Sequence, residues 1–104
     1  MIFVSGQLSH DDKGKFVGAG DFEKQIRHTY DNIAKILKKL GASLDHVVFE
    51  TVYITDMESQ SAILSEVHKE YFPKRQVTST SVEISRLSFK EQMIEVNAIA
   101  IVQK

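Results

Sequence analysis

The alternation of apolar and polar side chains is clearest near the end of the chain, where it predicts two long strands over Val77–Ser85 and Met93–Val102. Successive side chains of a strand point to opposite faces, so we expect one apolar core face and one mixed face. The mixed face is predicted to collect Ser79, Ser81, Glu83, Met93, Glu95, Asn97, Ile99 and Ile101, and the core face Val82, Ile84, Ile94, Val96, Ala98, Ala100 and Val102. A mixed surface of this kind is typical of a covered ligand site.

Two helices are predicted ahead of these strands. The first begins at the N-cap Asp21 and ends at Gly41. The second is predicted to begin at a capping box of Thr55 with Glu58 and to end at Pro73. The apolar stripe of the first helix is Phe22, Ile26, Tyr30, Ile33, Leu37 and Leu40, and that of the second is Ile63, Leu64, Val67 and Tyr71.

Three further strands complete the predicted order. Ile2–Val4 begins as a strand and runs to a bend at Gly6, Lys15–Val17 is typical of a short hairpin strand, and Val47–Ile54 is β-branched and aromatic. The elements follow closely in the order β-β-α-β-α-β-β, with no linker or repeat. We therefore expect one α+β domain over residues 1–104.

Composition narrows the class of protein. Thirteen basic and fourteen acidic residues give a net charge of -1, which argues against nucleic acid or anionic lipid as a partner. There is no cysteine for a disulfide or a thiolate nucleophile, and His10, His28, His46 and His68 lack metal-binding spacing. No apolar run is long enough for a membrane span or a signal peptide. We expect a cytoplasmic protein with no metal site.

The number of helices implies that the sheet needs cover from another chain, because two helices can cover only one of its faces. On the other face Ile99 and Ile101 would leave an apolar patch of a size that monomers usually avoid. A chain of this length buries only about 60 to 70% of its unfolded surface, so a partner also adds stability. We expect closed, symmetric association through the free face, with the copy number open.

Several segments, each weakly diagnostic alone, together resemble the RidA (YjgF) family over nearly all of Ile2–Val102. They are Ile2–Gln7, the helix residues Gln25, Arg27 and Asn32 with Ile36-Leu37, then Gly41–Leu44, Thr51–Met57, Glu70–Pro73, Ser81–Leu87 and Ile94–Ala100. The resemblance implies a chorismate-mutase-like α+β fold, with two helices packed on one face of a mixed sheet. It also implies a homotrimer with a small-molecule cleft at each subunit boundary.

The activity that this resemblance implies is the hydrolysis of reactive enamines and imines to ketoacids and ammonia, without a cofactor. In the family an arginine binds the substrate carboxylate, and a glutamate helps to position the water. Glu95 matches the glutamate, whereas Ser79 stands where the family has the arginine. A charge-assisted hydrogen bond is worth about 1.5 to 3 kcal/mol, so we expect a substrate without the usual carboxylate or one anchored differently.

The candidate site comprises Glu95 as the catalytic residue, with Gly6, Ser79 and Ser81 binding substrate. The serines are interpreted as hydrogen-bonding groups rather than nucleophiles, since no histidine or lysine is evident beside them. Glu95 has an alternative role as a structural partner for Arg86 or for a neighbouring chain. Asn32 is interpreted as a structural hydrogen-bonding residue. Glu50 is interpreted as an interface or edge residue. Two other functions stay open: a non-catalytic trimer that binds a metabolite or a regulatory partner, and, more remotely, endoribonuclease or translation-inhibitor activity.

Overall fold

Four strands form one mixed sheet in a computed structural model of the chain, which describes residues 1–103. The strands are β1 (Ile2–Gln7), β2 (Val47–Ile54), β3 (Thr78–Glu83) and β4 (Ile94–Ala100), and the helices are α1 (Phe22–Lys39) and α2 (Met57–Tyr71). In space the strands follow the order β1-β4-β2-β3. β4 runs antiparallel to both β1 and β2, whereas β3 runs parallel to β2.

The core lies between the two helices and one face of this sheet. Alternate residues of β2 and β4 are buried there, and α1 contributes its apolar stripe. The predicted arrangement of two helices on one face of a mixed sheet is confirmed. The largest fully buried apolar side chains are Tyr30, Ile26, Ile33, Leu37, Ile54, Ile94, Val47, Val52, Val67 and Val96.

Helix α1 begins and ends where the sequence predicts. The Asp21 carboxylate accepts a hydrogen bond from the Lys24 backbone N–H at 3.0 Å, as an N-cap residue should. At the other end Gly41 adopts a φ of +76°, which a glycine reaches without strain. Leu40 belongs to the predicted apolar stripe but is 59% exposed, so the buried stripe ends at Leu37.

The predicted capping box of helix α2 is wrong. The helix begins at Met57, and the Gln60 side-chain oxygen accepts the backbone N–H groups of Thr55 and Asp56 at 3.1 and 2.9 Å. The Met57 N–H donates to the Glu83 carboxylate of β3 at 2.7 Å. This cap depends on a distant strand, which local spacing does not reveal. Neither helix of the described chain is long and apolar enough to cross a membrane.

The hairpin strand predicted over Lys15–Val17 is reduced to a single bridge between His10 and Phe16. Side chains hold this segment in place of a strand ladder. The Asp11 carboxylate accepts backbone N–H groups within the turn, and the Asn32 amide donates to the carbonyls of Leu8 and His10 at 2.9 and 3.0 Å. The structural role predicted for Asn32 is confirmed.

Gln25 of α1 is fully buried and joins two separate segments to the core. Its amide nitrogen donates to the carbonyls of Gly18 and Glu91, both at 3.0 Å. Its amide oxygen accepts the Met93 N–H at 2.8 Å. The loop before α1 and the segment that enters β4 therefore depend on one side chain.

Replacing Gln25 with leucine should lower the free energy of unfolding by about 2 to 4 kcal/mol, because each buried polar group left without a partner costs about 1 to 3 kcal/mol. Urea denaturation measures this change. The neighbouring Lys24 is exposed, and Lys24→Ala should change stability by less than about 0.5 kcal/mol. Equal values for the two variants would contradict the anchoring role.

Candidate functional site

The strand register places the predicted site residues on both faces of the sheet rather than on one. Ser79 of β3 lies opposite Glu50 of β2, which is buried on the helix side. Asn97 of β4 lies opposite Thr51, the next residue of β2, whose side chain points to the other face. The helix-side face therefore carries Ser79, Ser81 and Glu83, and the open face carries Glu95 and Asn97.

This result corrects the predicted mixed face, and the cause lies in the strand order. β3 and β4 do not pair with each other, since β2 lies between them. Alternation shows which residues of one strand share a face, but it does not show which faces of two strands coincide. Val82 was predicted for the core and instead lies opposite Tyr53 on the open face, with 36% of its surface exposed.

The first half of the site lies on the open face, where β1 meets β4. Gly6 has a φ of +25°, and a Cβ at this position would lie 3.5 Å from the Glu95 carboxylate carbon. The Gly6 N–H, predicted to be available to a ligand, donates instead to the Asn97 side chain. Within residues 1–103 the Glu95 carboxylate has no hydrogen-bond partner, including the predicted alternative Arg86. We call Gly6 and Glu95 together the Gly6–Glu95 half-site.

The second half is an open cavity of about 230 Å³ between α2, β2 and β3, which we call the serine cavity. Ser79 and Ser81 of β3 line it, as do Ser61, Ser65 and His68 of α2. The sequence prediction that no histidine is near the two β3 serines is therefore wrong. Two turns of a helix and a neighbouring strand bring these residues together, although they are separated in sequence.

Glu50, predicted as an interface or edge residue, is fully buried behind this cavity. Its carboxylate accepts the Tyr30 hydroxyl at 2.7 Å and bonds to the Nε2 atom of His68 at 2.5 Å. Burial, and then the neighbouring Glu50 carboxylate, raises the pKa of Tyr30 well above its usual value. The sequence signal was present, because Glu50 alternates with the core residues Val52 and Ile54 in a strand.

A carboxylate removed from water is costly unless it is paired and hydrogen-bonded. In residues 1–103 His68 is the basic side chain within hydrogen-bond distance of Glu50, and Tyr30 supplies the neutral donor. His68 is itself only 23% exposed. We call Tyr30, Glu50 and His68 the buried triad.

The apolar open face predicted from the helix count is confirmed. Phe3 is 71% exposed and Phe49 is 41% exposed, and Ile101 lies beyond the end of β4 with 40% of its surface exposed. A shallow cavity of about 280 Å³ lies beside the two phenylalanines, and Asn97 and Ile99 also line it. In the described part of the chain, no three histidine, aspartate or glutamate residues are placed to hold a metal ion.

These features define an α+β protein in which two helices cover one face of a mixed four-stranded sheet. The other face is open and apolar, and each face carries a polar half-site. The family model described as Endoribonuclease L-PSP matches residues 1–102. A RutC family protein from Pyrococcus abyssi is 40% identical over 100 residues, which are 96% of this chain and 77% of that protein. The chain belongs to the RidA (YjgF) family, as the sequence resemblance predicted.

Two further relatives show how widely this similarity extends. The 3-aminoacrylate deaminase RutC of Acinetobacter baylyi is 31% identical over 100 residues, covering 96% of this chain and 78% of that protein. The crystal structure of RidA from the Antarctic bacterium Psychrobacter sp. PAMC 21119 superimposes with a TM-score of 0.87 at 28% identity. That superposition covers 96% of this chain and 79% of the other.

Replacing Tyr30 with phenylalanine should lower the free energy of unfolding by about 1.5 to 3 kcal/mol, because the buried Glu50 carboxylate loses a hydrogen bond. Thermal or urea denaturation measures the loss. Tyr53→Phe is the matched control, since Tyr53 lies on the open face and its hydroxyl has no partner within residues 1–103. Equal stability of the two variants would show that the Tyr30 hydroxyl does not support the buried triad.

Proposed function

We propose that the protein is a homotrimer that hydrolyses small imines or enamines in clefts at its subunit boundaries. Glu95 orients the attacking water, and Ser79 and Ser81 bind the substrate. The observation that carries this proposal is the placement of the two half-sites on opposite faces of one protomer. Neither half-site is complete alone, so they can act together only where two copies meet.

The shape of the sheet supports a head-to-tail contact between copies. The open face carries exposed aromatic side chains, and β3 is an edge strand with all six residues exposed. An apolar face and a free strand edge both need cover. In a closed ring each copy presents its open face to the β3 side of the next copy, and both surfaces are then covered. This contact brings the Gly6–Glu95 half-site of one copy to the serine cavity of its neighbour.

The chemistry of the two half-sites suits addition of water to a C=N bond. A half-buried carboxylate without a partner can accept a hydrogen bond from water and hold it beside the electrophilic carbon. Its negative charge also stabilises a cationic iminium. The serine hydroxyls can hold the polar end of the substrate. A relative whose name is 3-aminoacrylate deaminase supports this class of reaction for the present chain. The lack of cysteine is in keeping with a cytoplasmic protein.

One observation favours a second candidate, a trimer of the same architecture that binds a metabolite without converting it. Ser79 stands at the position where the family resemblance implies a carboxylate-binding arginine. A hydroxyl binds a carboxylate more weakly than a guanidinium does. This candidate predicts binding without turnover. The name of the matching family model also mentions an endoribonuclease, but the net charge of -1 gives that activity no support.

Turnover of 2-aminoacrylate, generated in the assay and followed by trapping, separates the two candidates. The native chain should hydrolyse it, and Glu95→Gln should lower the rate about 100-fold or more, because the attacking water loses the carboxylate that orients it. Ser79→Arg should improve binding of this carboxylate-bearing substrate about ten- to a hundredfold. An inactive native chain that gains activity with Ser79→Arg would favour the non-catalytic reading. Unchanged turnover in Glu95→Gln would refute the role of Glu95.

Complementation between variants tests whether each cleft takes one half-site from each of two copies. Glu95→Gln disables the first half-site, and Ser81→Phe fills the serine cavity of the second. After the two variants are unfolded, mixed in equal amounts and refolded, about a quarter of the clefts should be intact, with a matching share of native activity. Each variant refolded alone is the control. A mixture as inactive as its components would place the whole site within one chain.

A further inference from the structure

His68 stands between the buried core and the serine cavity. Its Nε2 atom bonds to the buried Glu50 carboxylate, while its side chain forms part of the cavity lining. Within residues 1–103 the second ring nitrogen, Nδ1, has no hydrogen-bond partner. A histidine held by a carboxylate through one nitrogen leaves the other free to exchange a proton with a ligand.

Aromatic neighbours restrict the orientation of the His68 ring. The Phe72 ring is tilted by 31° to the imidazole, with centroids 4.7 Å apart, and Tyr30 meets it edge-on at 6.0 Å. Together with the Glu50 bond, these contacts hold the imidazole in one place. A group that transfers a proton needs this kind of support from its surroundings.

The charged and titratable groups around His68 are few. Glu50 faces it from β2 and Tyr30 from α1, whereas Ser79 and Ser81 of β3 are uncharged. Glu50 is the acidic group bonded to His68, and the other residues that line the cavity are uncharged. Glu50 therefore fixes the His68 ring through its Nε2 atom.

We propose that His68 is a catalytic proton-transfer residue of the serine cavity, and that Glu50 acts through it as a positioning residue. This inference rests on the proposed imine hydrolysis. It assigns the proton transfers of that reaction to His68, whereas the role proposed for Glu95 is to orient the water. It gives the serine cavity a chemical role beyond substrate binding.

His68 accepts and returns a proton twice in each turnover. As the water oxygen bonds to the iminium carbon, a water proton passes to neutral His68 and a neutral carbinolamine forms. Protonated His68 then gives its proton to the amine nitrogen, which makes that nitrogen a good leaving group. The C–N bond breaks, the hydroxyl oxygen becomes the carbonyl oxygen, and its proton returns to His68. Ammonia then takes that proton and leaves as ammonium.

The test combines turnover with a readout that does not need turnover. The variants are His68→Gln, Glu50→Gln and, as the matched histidine control, His28→Gln on α1, outside the serine cavity. Rates are measured across pH, and pyruvate, a 2-oxo acid of the product class, is titrated while the histidine ring signals are followed by NMR. Thermal unfolding confirms that each variant is folded.

We expect His68→Gln to lower kcat about 100-fold or more and to remove one limb of the pH–rate profile. Glu50→Gln should lower kcat less than His68→Gln does, because the ring keeps a hydrogen-bond partner at Nε2 but loses a charged one. His28→Gln should leave both the rate and the profile unchanged. Pyruvate should shift the His68 ring signals and leave those of His28 in place.

Two results would overturn the inference. If the native chain is active and His68→Gln keeps its rate and pH profile, His68 transfers no proton, while the proposed hydrolysis stands. If the native chain is inactive, the proposed hydrolysis fails. The pyruvate titration then shows whether His68 lies on the ligand-binding surface. Unmoved His68 signals would then remove it from the ligand-binding surface, and moved signals would retain it as the group that faces the ligand.

Discussion

Two helices can cover only one face of a four-stranded sheet, and the arrangement of this protein depends on that constraint. The helix side is filled by α1, α2 and the inward side chains of β2 and β4. The other side keeps Phe3 and Phe49 exposed, and Asn97 lines a shallow cavity with them. We propose that a second copy covers these aromatic rings and completes the surroundings of the polar groups on this face.

The sequence predicted the elements of the fold well, because those elements depend on local patterns. Helix α1 follows its N-cap Asp21 and ends before Gly41. β2, β3 and β4 fall within the predicted ranges, whereas β1 continues beyond the predicted Ile2–Val4 to Gln7. The failures share one cause, which is contact between residues distant in sequence. Glu83 caps α2 from a separate strand, and a single bridge replaces the strand predicted over Lys15–Val17.

The candidate site shows the same difference between local patterns, which the sequence predicts, and contacts between distant residues, which it does not predict. Period-2 alternation correctly grouped Ser79 with Ser81, and Glu95 with Asn97. It could not show that the two groups occupy opposite faces, because that depends on how β3 and β4 each pair with β2. Because of this separation, we propose two half-sites that copies of the chain bring together, in place of one surface of a protomer.

The buried triad is a feature of which the sequence indicated only one part, the burial of Glu50, through its alternation with Val52 and Ile54. A fully buried Glu50 is held by His68 and Tyr30, directly behind the serine cavity. A buried carboxylate with its partners is costly to build compared with an apolar core of the same shape. Its position beside the cavity links the core of one protomer to the chemistry that we propose at the subunit boundary.

Sedimentation velocity at micromolar concentration tests most directly whether identical copies cover the open face. We expect one species of about 35 kDa, three times the chain mass of 11.8 kDa. Placing a charge on the open face with Phe49→Glu should convert this species to monomer. A native chain that sediments as a folded monomer of 11.8 kDa would contradict the account.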